Sequence, residues 1–315
     1  MLFLKIQKYL KKYLTLKLNT KKEEYMWQGR NDGDEIIHKR LFKCLNHSSN
    51  NKLLGFCSSL GVQRNNGRIG SELAPKIIRK NMANFAIHDD FDFDDLGDIE
   101  NFDTLELGDE LLYHKCLEIL HNNHYGVILG GGHETSLACI KALLDYKKSV
   151  GVINFDAHFD VRIQELHTSG NSFYKAYEYA KENNYDFSYL CLGVSKLSNT
   201  KALFQTMDNM KASYVLDTEF EKCIEVIKNF LKQNEVVYLS IDMDVFSQSI
   251  APAVSAPAVF GINLKEILTP IKIIFESKKV ALADICEFNP KFDIDNHTAK
   301  IAAYLAYFLL SKGMI

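Results

Sequence analysis

Two short segments of the chain carry acidic and imidazole side chains at alternate positions. Asp156, His158 and Asp160 form one set, and Asp242 and Asp244 form the other. In an extended segment a spacing of two places side chains on the same side of the backbone, so each set is expected to face one site. Four carboxylates in one pocket raise one another's pKa unless cations neutralise them. This pattern predicts a site that holds two divalent cations.

A sixth candidate ligand, His133, follows three glycines in GGGHETS. A donor set of mainly carboxylate oxygens with some imidazole favours Mn²⁺ over thiolate-preferring metals, although several other divalent ions remain compatible with it. Two such ions about 3.5–4 Å apart can activate one water near neutral pH. Taken singly, His133 could cap a helix, the aspartates could stabilise turns, and the glycines could cradle phosphate. The combination at several strand ends favours metal chemistry.

Short apolar runs alternate with longer helical stretches, and these elements must position the candidate ligands. Strands are predicted at Leu53–Cys57, Tyr125–Leu129, Val150–Phe155, Tyr189–Gly193, Tyr214–Leu216, Val236–Ile241 and Val280–Ile285. Helices are predicted at Gly70–Met82, Asp109–Asn122, Glu134–Tyr146, Thr200–Asn209, Thr218–Gln233, Leu264–Glu276 and Thr298–Leu310. This alternation predicts an α/β fold with a mostly parallel central sheet covered on both faces. Ligands of such sheets bind beyond the carboxyl ends of the strands, where the candidate residues lie.

Composition places the chain among ordinary globular proteins. It has 315 residues, of which 47% are hydrophobic and 24% are charged, and its formal net charge is -3. These values argue against disorder and against nucleic acid as the main partner, and no apolar run is long enough to span a membrane. The seven cysteines are scattered and form no C-x-x-C pair, so reduced thiols and a cytoplasmic location are expected.

Two further segments are interpreted without a chemical role. Residues 1–25 form a basic extension of lysines and aliphatic residues, which could be an amphipathic helix, a solvated surface helix or a sequence upstream of the true start at Met26. Residues 26–315 are expected to form a single catalytic domain. The acidic run Asp89–Asp98 is predicted to be a solvated loop whose two phenylalanines point inward.

Three sequence blocks resemble the signatures of the ureohydrolase superfamily of arginases, agmatinases and formimidoylglutamases. They are GGGHE, NFDAHFDVR and SIDMDVFSQSIAPAVSAPAVFG, and the resemblance extends from about Trp27 to the C-terminus. WQGR, GVQRNNGRIGSELAP, CLGVSKLSNT, VSAPA and EFNPKFDID are most similar to the formimidoylglutamase group. The resemblance implies a three-layer α/β/α, arginase-like fold, two Mn²⁺ per subunit and a homo-oligomer. It also implies hydrolysis of N-formimidoyl-L-glutamate to glutamate and formamide in histidine breakdown.

The same resemblance assigns roles to the candidate ligands. One ion would be held by His133, Asp156, Asp160 and Asp242, and the other by Asp156, His158, Asp242 and Asp244. Asp156 and Asp242 would bridge the two ions. Asp160 would also pass a proton to the leaving nitrogen, and Glu287 would pair with the amidinium of the substrate.

Arg162 bears on the class of substrate. It follows Asp160 by two residues, so its guanidinium should point towards the same pocket. An arginine suits a small-molecule amidine that carries carboxylates, whereas arginases usually have asparagine here. Asn171 and Asn199 are expected to add substrate contacts. Alternatives remain: Arg162 as a surface ion-pair residue, Glu287 as a structural carboxylate, and a related amidinohydrolase that releases urea from agmatine, guanidinobutyrate or arginine.

The sequence departs from the arginase pattern at the proton shuttle. Arginases carry a histidine shortly after a Ser-Gly-Asn stretch, and this chain has Phe173 at that position. An arginase activity is therefore disfavoured. His167 could replace the missing group as a mobile acid or base, or it could be a solvated loop histidine.

Overall fold

A computed structural model describes residues 27–33 and 35–314. In this part of the chain an eight-stranded sheet forms the centre, with every neighbouring pair of strands parallel. The strands are β1 Asn51–Phe56, β2 Asp94–Ile99, β3 Tyr125–Leu129, β4 Ser149–Phe155, β5 Asp186–Val194, β6 Ser213–Leu216, β7 Val237–Asp242 and β8 Val280–Cys286. Their order across the sheet is β2-β1-β3-β8-β7-β4-β5-β6.

Helices cover both faces of the sheet. The α-helices of the described chain are α1 Leu60–Arg64, α2 Ala74–Met82, α3 Leu105–His121, α4 Thr135–Lys147, α5 Ser172–Glu182, α6 Lys201–Asn209, α7 Cys223–Gln233, α8 Leu264–Glu276 and α9 His297–Leu310. One core packs α2, α7, α8 and α9 on the sheet, and the other packs α3, α4, α5 and α6. Consecutive strand residues such as Val127 and Ile128 enter opposite cores, as side-chain alternation requires. The predicted three-layer α/β/α architecture is confirmed.

The order of the strands brings the candidate residues together. The four strands that precede the chemical motifs are direct neighbours, in the order β3-β8-β7-β4. Because all four are parallel, their carboxyl ends lie at the same edge of the sheet. All residues of β3 and β7 are buried, which explains why β3 appears in the sequence as an unbroken apolar run and β7 as an apolar run up to Leu239.

The acidic run is not the solvated loop that its composition indicated. Its second half forms β2, and Asp94 and Asp95 are both buried. The Asp94 carboxylate accepts a 2.9 Å hydrogen bond from Lys52, and Asp95 receives two hydrogen bonds, at 2.7 and 2.9 Å, from Arg79. The prediction was wrong because cations distant in sequence neutralise these charges. The inward orientation of the two phenylalanines is confirmed, since Phe91 and Phe93 are buried.

Two further differences concern the helices. Helix α5 was not predicted, and α3 begins at Leu105, four residues before the predicted start. Thr104 caps α3 by accepting a hydrogen bond from the backbone of Leu107 at 3.3 Å. Among the described residues no helix has the length and apolar character that crossing a membrane requires. The predicted extension at residues 1–25 lies outside the described part of the chain.

Candidate metal centre

The imidazole of His133 meets three carboxylates at the edge formed by neighbouring strand ends. Its Nδ1 lies 3.2 Å from Oδ2 of Asp156 and 3.0 Å from Oδ2 of Asp160. Oδ2 of Asp242, at the end of β7, is also 3.0 Å away. These four residues offer ligand atoms that lie within 4.8 Å of one another. They form the first ligand group.

The first ligand group fits a divalent cation. Ligands at right angles around an ion with bonds of about 2.1 Å lie about 3 Å apart, which is the spacing found here. Nδ1 of His133 is buried, has no hydrogen-bond partner among the described residues and faces the three carboxylate oxygens. One imidazole nitrogen with three carboxylate oxygens is a donor set for a hard or borderline metal.

A second ligand group lies beside the first. It consists of Asp156, His158 and Asp244. Nδ1 of His158 is 3.0 Å from Oδ2 of Asp244 and 3.6 Å from Oδ1 of Asp156. Asp156 thus presents one oxygen to each group, the arrangement that a bridging carboxylate needs. Oδ1 of Asp242 instead accepts a hydrogen bond from the backbone of Asp244 at 2.7 Å, and a bridging role for Asp242 stays a prediction.

Three of the four carboxylates, those of Asp160, Asp242 and Asp244, have a raised pKa, as the sequence predicted for groups that converge. Asp156 differs: burial opposes its ionisation, but its contacts with His133 and His158 lower its pKa. Burial and the neighbouring Asp156 raise the pKa of Asp160 to about 6. Burial and the neighbouring Asp244 raise the pKa of Asp242 well above its usual value. Bound cations favour the charged form of such carboxylates, so proton release and metal binding are coupled at this site.

Hydrogen bonds from neighbouring strand residues fix the orientation of two of the ligands. Nε2 of His133 lies 2.8 Å from Oγ of Ser240, and the amide of Asn154 donates to Oδ2 of Asp156 at 3.0 Å. Sequence reasoning missed both residues, although each lies two positions before a ligand in the same strand and alternation indicates the same face. Such partners set the tautomer and orientation of a metal ligand.

A buried network continues behind Ser240. The hydroxyl of Ser136 is 3.4 Å from Oγ of Ser240 and donates to Oδ2 of Asp284 at 2.6 Å. Tyr238 also donates to Asp284. Asp284 and Cys286 form a third potential ligand group with His133, but this group lies towards the interior of the sheet. Its hydrogen bonds connect the His133 ring to the strands that carry it.

Glu287 lies against the first ligand group. Its Oε1 accepts a 2.8 Å hydrogen bond from the backbone of His133, and only 5% of the residue is exposed. Burial, followed by the nearby carboxylate of Glu134, raises the pKa of Glu287 to about 8. No lysine or arginine of the described residues pairs with it. A buried carboxyl in this environment is suited to receive a cationic group.

Two residues of this edge have left-handed backbone conformations without being glycine. The φ angle is 48° at Asp160 and 66° at Glu287. Such conformations cost about 1 kcal/mol or more. Ten other non-glycine residues of the described chain also adopt them, and nine of these ten are asparagine or lysine, so the conformation alone does not identify the site.

Arg162 lies on the exposed segment that follows Asp160. None of the described residues pairs with its guanidinium, so it is not engaged as a surface ion pair. Its side chain lies over Gly170, where an added Cβ would stand 3.1 Å from both Cδ and Nε of Arg162. A free guanidinium next to the ligand segment is available to a negatively charged group.

The two asparagines expected to bind substrate are engaged with the backbone. Asn171 accepts from the amide of Thr168 at 2.9 Å and donates to the carbonyl of Leu166 at 2.8 Å. Asn199 accepts from the backbone of Phe159 at 3.0 Å and donates to two carbonyl groups, each at 2.9 Å. Both are buried. In this structure their amides hold the ligand-bearing segments in place.

Phe173 and His167 are both buried near the ligands. The ring of Phe173 packs edge-on against the imidazole of His133, with centroids 5.1 Å apart. His167 is only 8% exposed and contacts Asp109 at 2.7 Å and Ser172 at 3.2 Å. It therefore lacks the freedom that a mobile acid or base needs, and it is not a solvated histidine.

The fold and the two ligand groups define an α/β protein with a candidate two-metal centre at the carboxyl edge of its sheet. Residues 51–311 match the family model described as the arginase family, and the chain belongs to that family. A formimidoylglutamase of Vibrio parahaemolyticus is 36% identical, covering 90% of this chain and 93% of its own length. A formimidoylglutamase of Chromobacterium violaceum is 38% identical, covering 90% of this chain and 96% of its own length.

Solved structures share the fold at lower identity. A formiminoglutamase of Trypanosoma cruzi with Mn²⁺ superposes with a TM-score of 0.79 at 22% identity, covering 87% of this chain and 98% of that one. The formimidoylglutamase of Bacillus subtilis superposes with a TM-score of 0.77 at 23% identity, covering 92% of this chain and 97% of that one.

Proposed function

We propose that this chain is a metal-dependent hydrolase of a linear amidine, and that its substrate is N-formimidoyl-L-glutamate. The products are L-glutamate and formamide, which places the enzyme in histidine breakdown. The observation that carries the proposal is the position of Glu287, a buried carboxyl without a cationic partner in the described chain, in direct contact with His133. Relatives named formimidoylglutamase, at 36 and 38% identity, support it.

We propose two Mn²⁺ ions as the resident metals. The first ligand group would hold one ion and the second group the other, with Asp156 shared between them. When bound, such a pair supplies Lewis acidity and lowers the pKa of a water molecule so that a nucleophile is available near neutral pH. The oxygen-rich donor set supports manganese, and the Mn²⁺ in the Trypanosoma cruzi structure agrees with it.

The side chains of this chain supply the remaining chemistry. The carboxylate of Glu287 pairs with the amidinium of the formimidoyl group and so orients the amidine carbon. Oδ2 of Asp160 faces His133, which leaves Oδ1 to take up the proton released by the attacking water. Oxygen adds to the amidine carbon, the bond to the glutamate nitrogen breaks, and Oδ1 returns the proton to that nitrogen. The hydroxyl proton of the one-carbon fragment passes to the departing amine as well, so glutamate leaves with a protonated amine and the one-carbon fragment leaves as formamide.

Arg162 supports a substrate that carries carboxylates. Its guanidinium lies on the exposed segment that follows Asp160 and is unpaired within the described chain. Arginine binds a carboxylate through two parallel hydrogen bonds, an interaction that agmatine, which has no carboxylate, cannot make. Arg162 therefore favours formimidoylglutamate, with two carboxylates, over agmatine, with none, and over arginine and guanidinobutyrate, with one each. The homo-oligomeric state and the cytoplasmic location stay predictions.

A substrate panel tests the proposed function. Manganese-loaded protein is assayed with formimidoylglutamate, agmatine, guanidinobutyrate and arginine, and the products are analysed for formamide and for urea. Formamide release from formimidoylglutamate is expected to dominate. Urea release at a higher kcat/KM would overturn the assignment and favour the related amidinohydrolase activity.

A substitution of Arg162 tests the basis of substrate choice. Arg162→Gln is expected to raise KM for formimidoylglutamate by about ten- to a hundredfold, since a charge-assisted hydrogen bond contributes about 1.5–3 kcal/mol. The matched control is Arg30→Gln, at an exposed arginine that pairs with Asp32 at 2.6 Å. A wild-type KM in the Arg162 variant would contradict the proposed carboxylate contact.

A further inference from the structure

The segment between the ligands of β4 and helix α5 is a loop with closely spaced ends. The backbone of Arg162 donates to the carbonyl of Gly170 at 3.1 Å, and that of Phe173 donates to the carbonyl of Asp160 at 3.3 Å. Residues 162–166 are exposed and residues 167–172 are buried. The loop therefore has an exposed part, residues 162–166, which begins with Arg162, and a buried base, residues 167–172.

His167 occupies the buried base and connects two parts of the fold. Its Nδ1 lies 2.7 Å from Oδ2 of Asp109 on α3, and its Nε2 lies 3.2 Å from Oγ of Ser172 at the start of α5. Ser172 donates its single hydroxyl proton to the carbonyl of His133 at 2.8 Å. Because that proton is used, Nε2 must donate to the Ser172 oxygen. The chain of hydrogen bonds thus runs from α3 to a metal-ligand residue.

These residue types resemble a hydrolytic Ser-His-Asp triad, but their environment excludes nucleophilic use. Ser172 is fully buried, and its proton is directed at a carbonyl oxygen rather than at the imidazole. A nucleophilic serine needs its base to accept its proton and needs access to substrate. The arrangement instead has the geometry of a fixed structural contact.

The buried base also determines where the arginine side chain lies. Arg64 donates to the carbonyl of His167 at 3.1 Å, which adds a second attachment. An added Cβ at Gly170 would stand 2.8 Å from Nδ2 of Asn65 and 3.1 Å from Cδ and Nε of Arg162. Because the arginine packs directly on Gly170, a displacement of the base displaces the guanidinium.

We propose that Asp109, His167 and Ser172 form a buried anchor that positions Arg162 relative to His133 and thereby sets the preference for anionic substrates. This inference rests on the proposed function, because it assigns Arg162 to the substrate carboxylates. The three residues act as positioning residues, since they reach the substrate only through the loop. A displacement of about 1 Å in a contacting group can cost up to a hundredfold in efficiency.

Two substitutions at His167 each break one contact of the anchor. In the His167→Asn variant the side-chain nitrogen lies near the position of Nδ1 and still donates to Asp109. In the His167→Gln variant the side-chain nitrogen still donates to Ser172. Both variants, loaded with Mn²⁺, are expected to raise KM for formimidoylglutamate by about tenfold or more. The value of kcat should stay within about threefold of the wild type, because the reacting groups are unchanged.

Three further readouts separate positioning from a general loss of structure. A simple N-alkylformamidine without carboxylates should keep its kcat/KM in the His167 variants, and Mn²⁺ affinity measured by calorimetry should be unchanged. In an Arg162→Gln background the His167 substitutions should have no additional effect on KM, because their effect acts through that arginine. His114→Asn, at an exposed pair with Glu110 on α3, is the matched control.

The outcomes distinguish this inference from the proposed function. Equal losses with both substrates, weaker Mn²⁺ binding, or a full His167 effect in the Arg162→Gln background would each overturn the anchor. If the His167 variants do not melt cooperatively, Asp109→Asn is the second variant, and a wild-type KM there would also overturn it. A wild type that does not release formamide would instead refute the proposed function. An Arg162→Gln variant with unchanged KM would refute the carboxylate contact, and with it the anchor, while formamide release by the wild type would leave the proposed function standing.

Discussion

Replacement of Glu287 by glutamine is expected to lower activity and to stabilise the metal-free protein at the same time. The glutamine side chain would keep an oxygen that can accept the 2.8 Å hydrogen bond from the backbone of His133, so the local structure should persist. The substitution removes the negative charge that is proposed to pair with the amidinium. We expect kcat/KM to fall by about ten- to a hundredfold, since a hydrogen bond to a charged group contributes about 1.5–3 kcal/mol.

The gain in stability follows from the raised pKa. Burial and Glu134 raise the pKa of Glu287 from 4.5 to about 8, so the folded chain retains a proton that the unfolded chain releases between these values. For each unit by which the pH rises in this range, the free energy of unfolding of the wild type therefore falls by about 1.4 kcal/mol relative to that of the variant. At pH 7 the difference reaches about 3 kcal/mol, and it disappears below the ordinary pKa of the group.

Thermal unfolding of chelator-treated protein measures this difference. A gain of about 3 kcal/mol corresponds to a rise of about 5 °C in Tm for a chain of this size. The difference should shrink as the pH is lowered from 8 to 5. Glu178→Gln, which removes one charge from a surface pair with Lys175, is the matched control. A variant with an unchanged or lower Tm at pH 7 would refute the reasoning.

Three further predictions concern the metal ligands and one buried ion pair. Asp242→Asn should weaken Mn²⁺ binding by more than about tenfold in calorimetry, because it removes a charged oxygen that faces His133. Ser240→Ala should weaken Mn²⁺ binding by about ten- to a hundredfold, because Nε2 of His133 loses the partner that orients the ring. Arg79→Met should lower the free energy of unfolding by about 3–5 kcal/mol in urea titrations, because the buried Asp95 loses the guanidinium that pairs with it.

Each of these predictions has a control and an opposing result. Asp208→Asn, at an exposed aspartate of α6, should leave Mn²⁺ affinity unchanged. Wild-type affinity in the Asp242 variant would argue against the first ligand group, and wild-type affinity in the Ser240 variant would argue against orientation of the ring by that serine. For the Arg79 variant, a loss below about 1 kcal/mol would show that the ion pair contributes little to stability.

The fold was largely predictable because its core strands are mostly apolar. Runs such as Tyr125–Leu129 are buried on both faces, so their sequence signal does not depend on neighbours. The acidic run behaved differently. Asp95 is buried in β2 because Arg79, sixteen residues away in sequence, pairs with it, and composition carries no information about that partner. Short-range patterns therefore failed where a distant cation decided whether a charge could be buried.

The ligands were predictable for a related reason. Alternation predicted that Asp156 and Asp160 lie on one side of the backbone, and the structure brings both to His133. It does so without an extended segment, since β4 ends at Phe155 and Asp160 has a φ of 48°. The same alternation, followed two residues back from Asp242 and from Asp156, would have indicated Ser240 and Asn154. The engagement of Asn171 with its own loop had no such signal, because an asparagine in that position can bind either backbone or ligand.

The types of the site residues and their local spacing are properties of the chain as written, and they were sufficient to indicate divalent metals and a strand-end location. The side-by-side order β3-β8-β7-β4 is not encoded in any one segment, because it depends on how strands distant in sequence pair. That pairing brings His133 within 3.0 Å of Asp242, and it leaves Glu287 buried without a cation from the described chain. The burial of His167 also needed the fold, because Asp109 comes from a helix 58 residues earlier. Local periodicity reports which way a side chain points, whereas the distance between two segments is a property of the packed molecule.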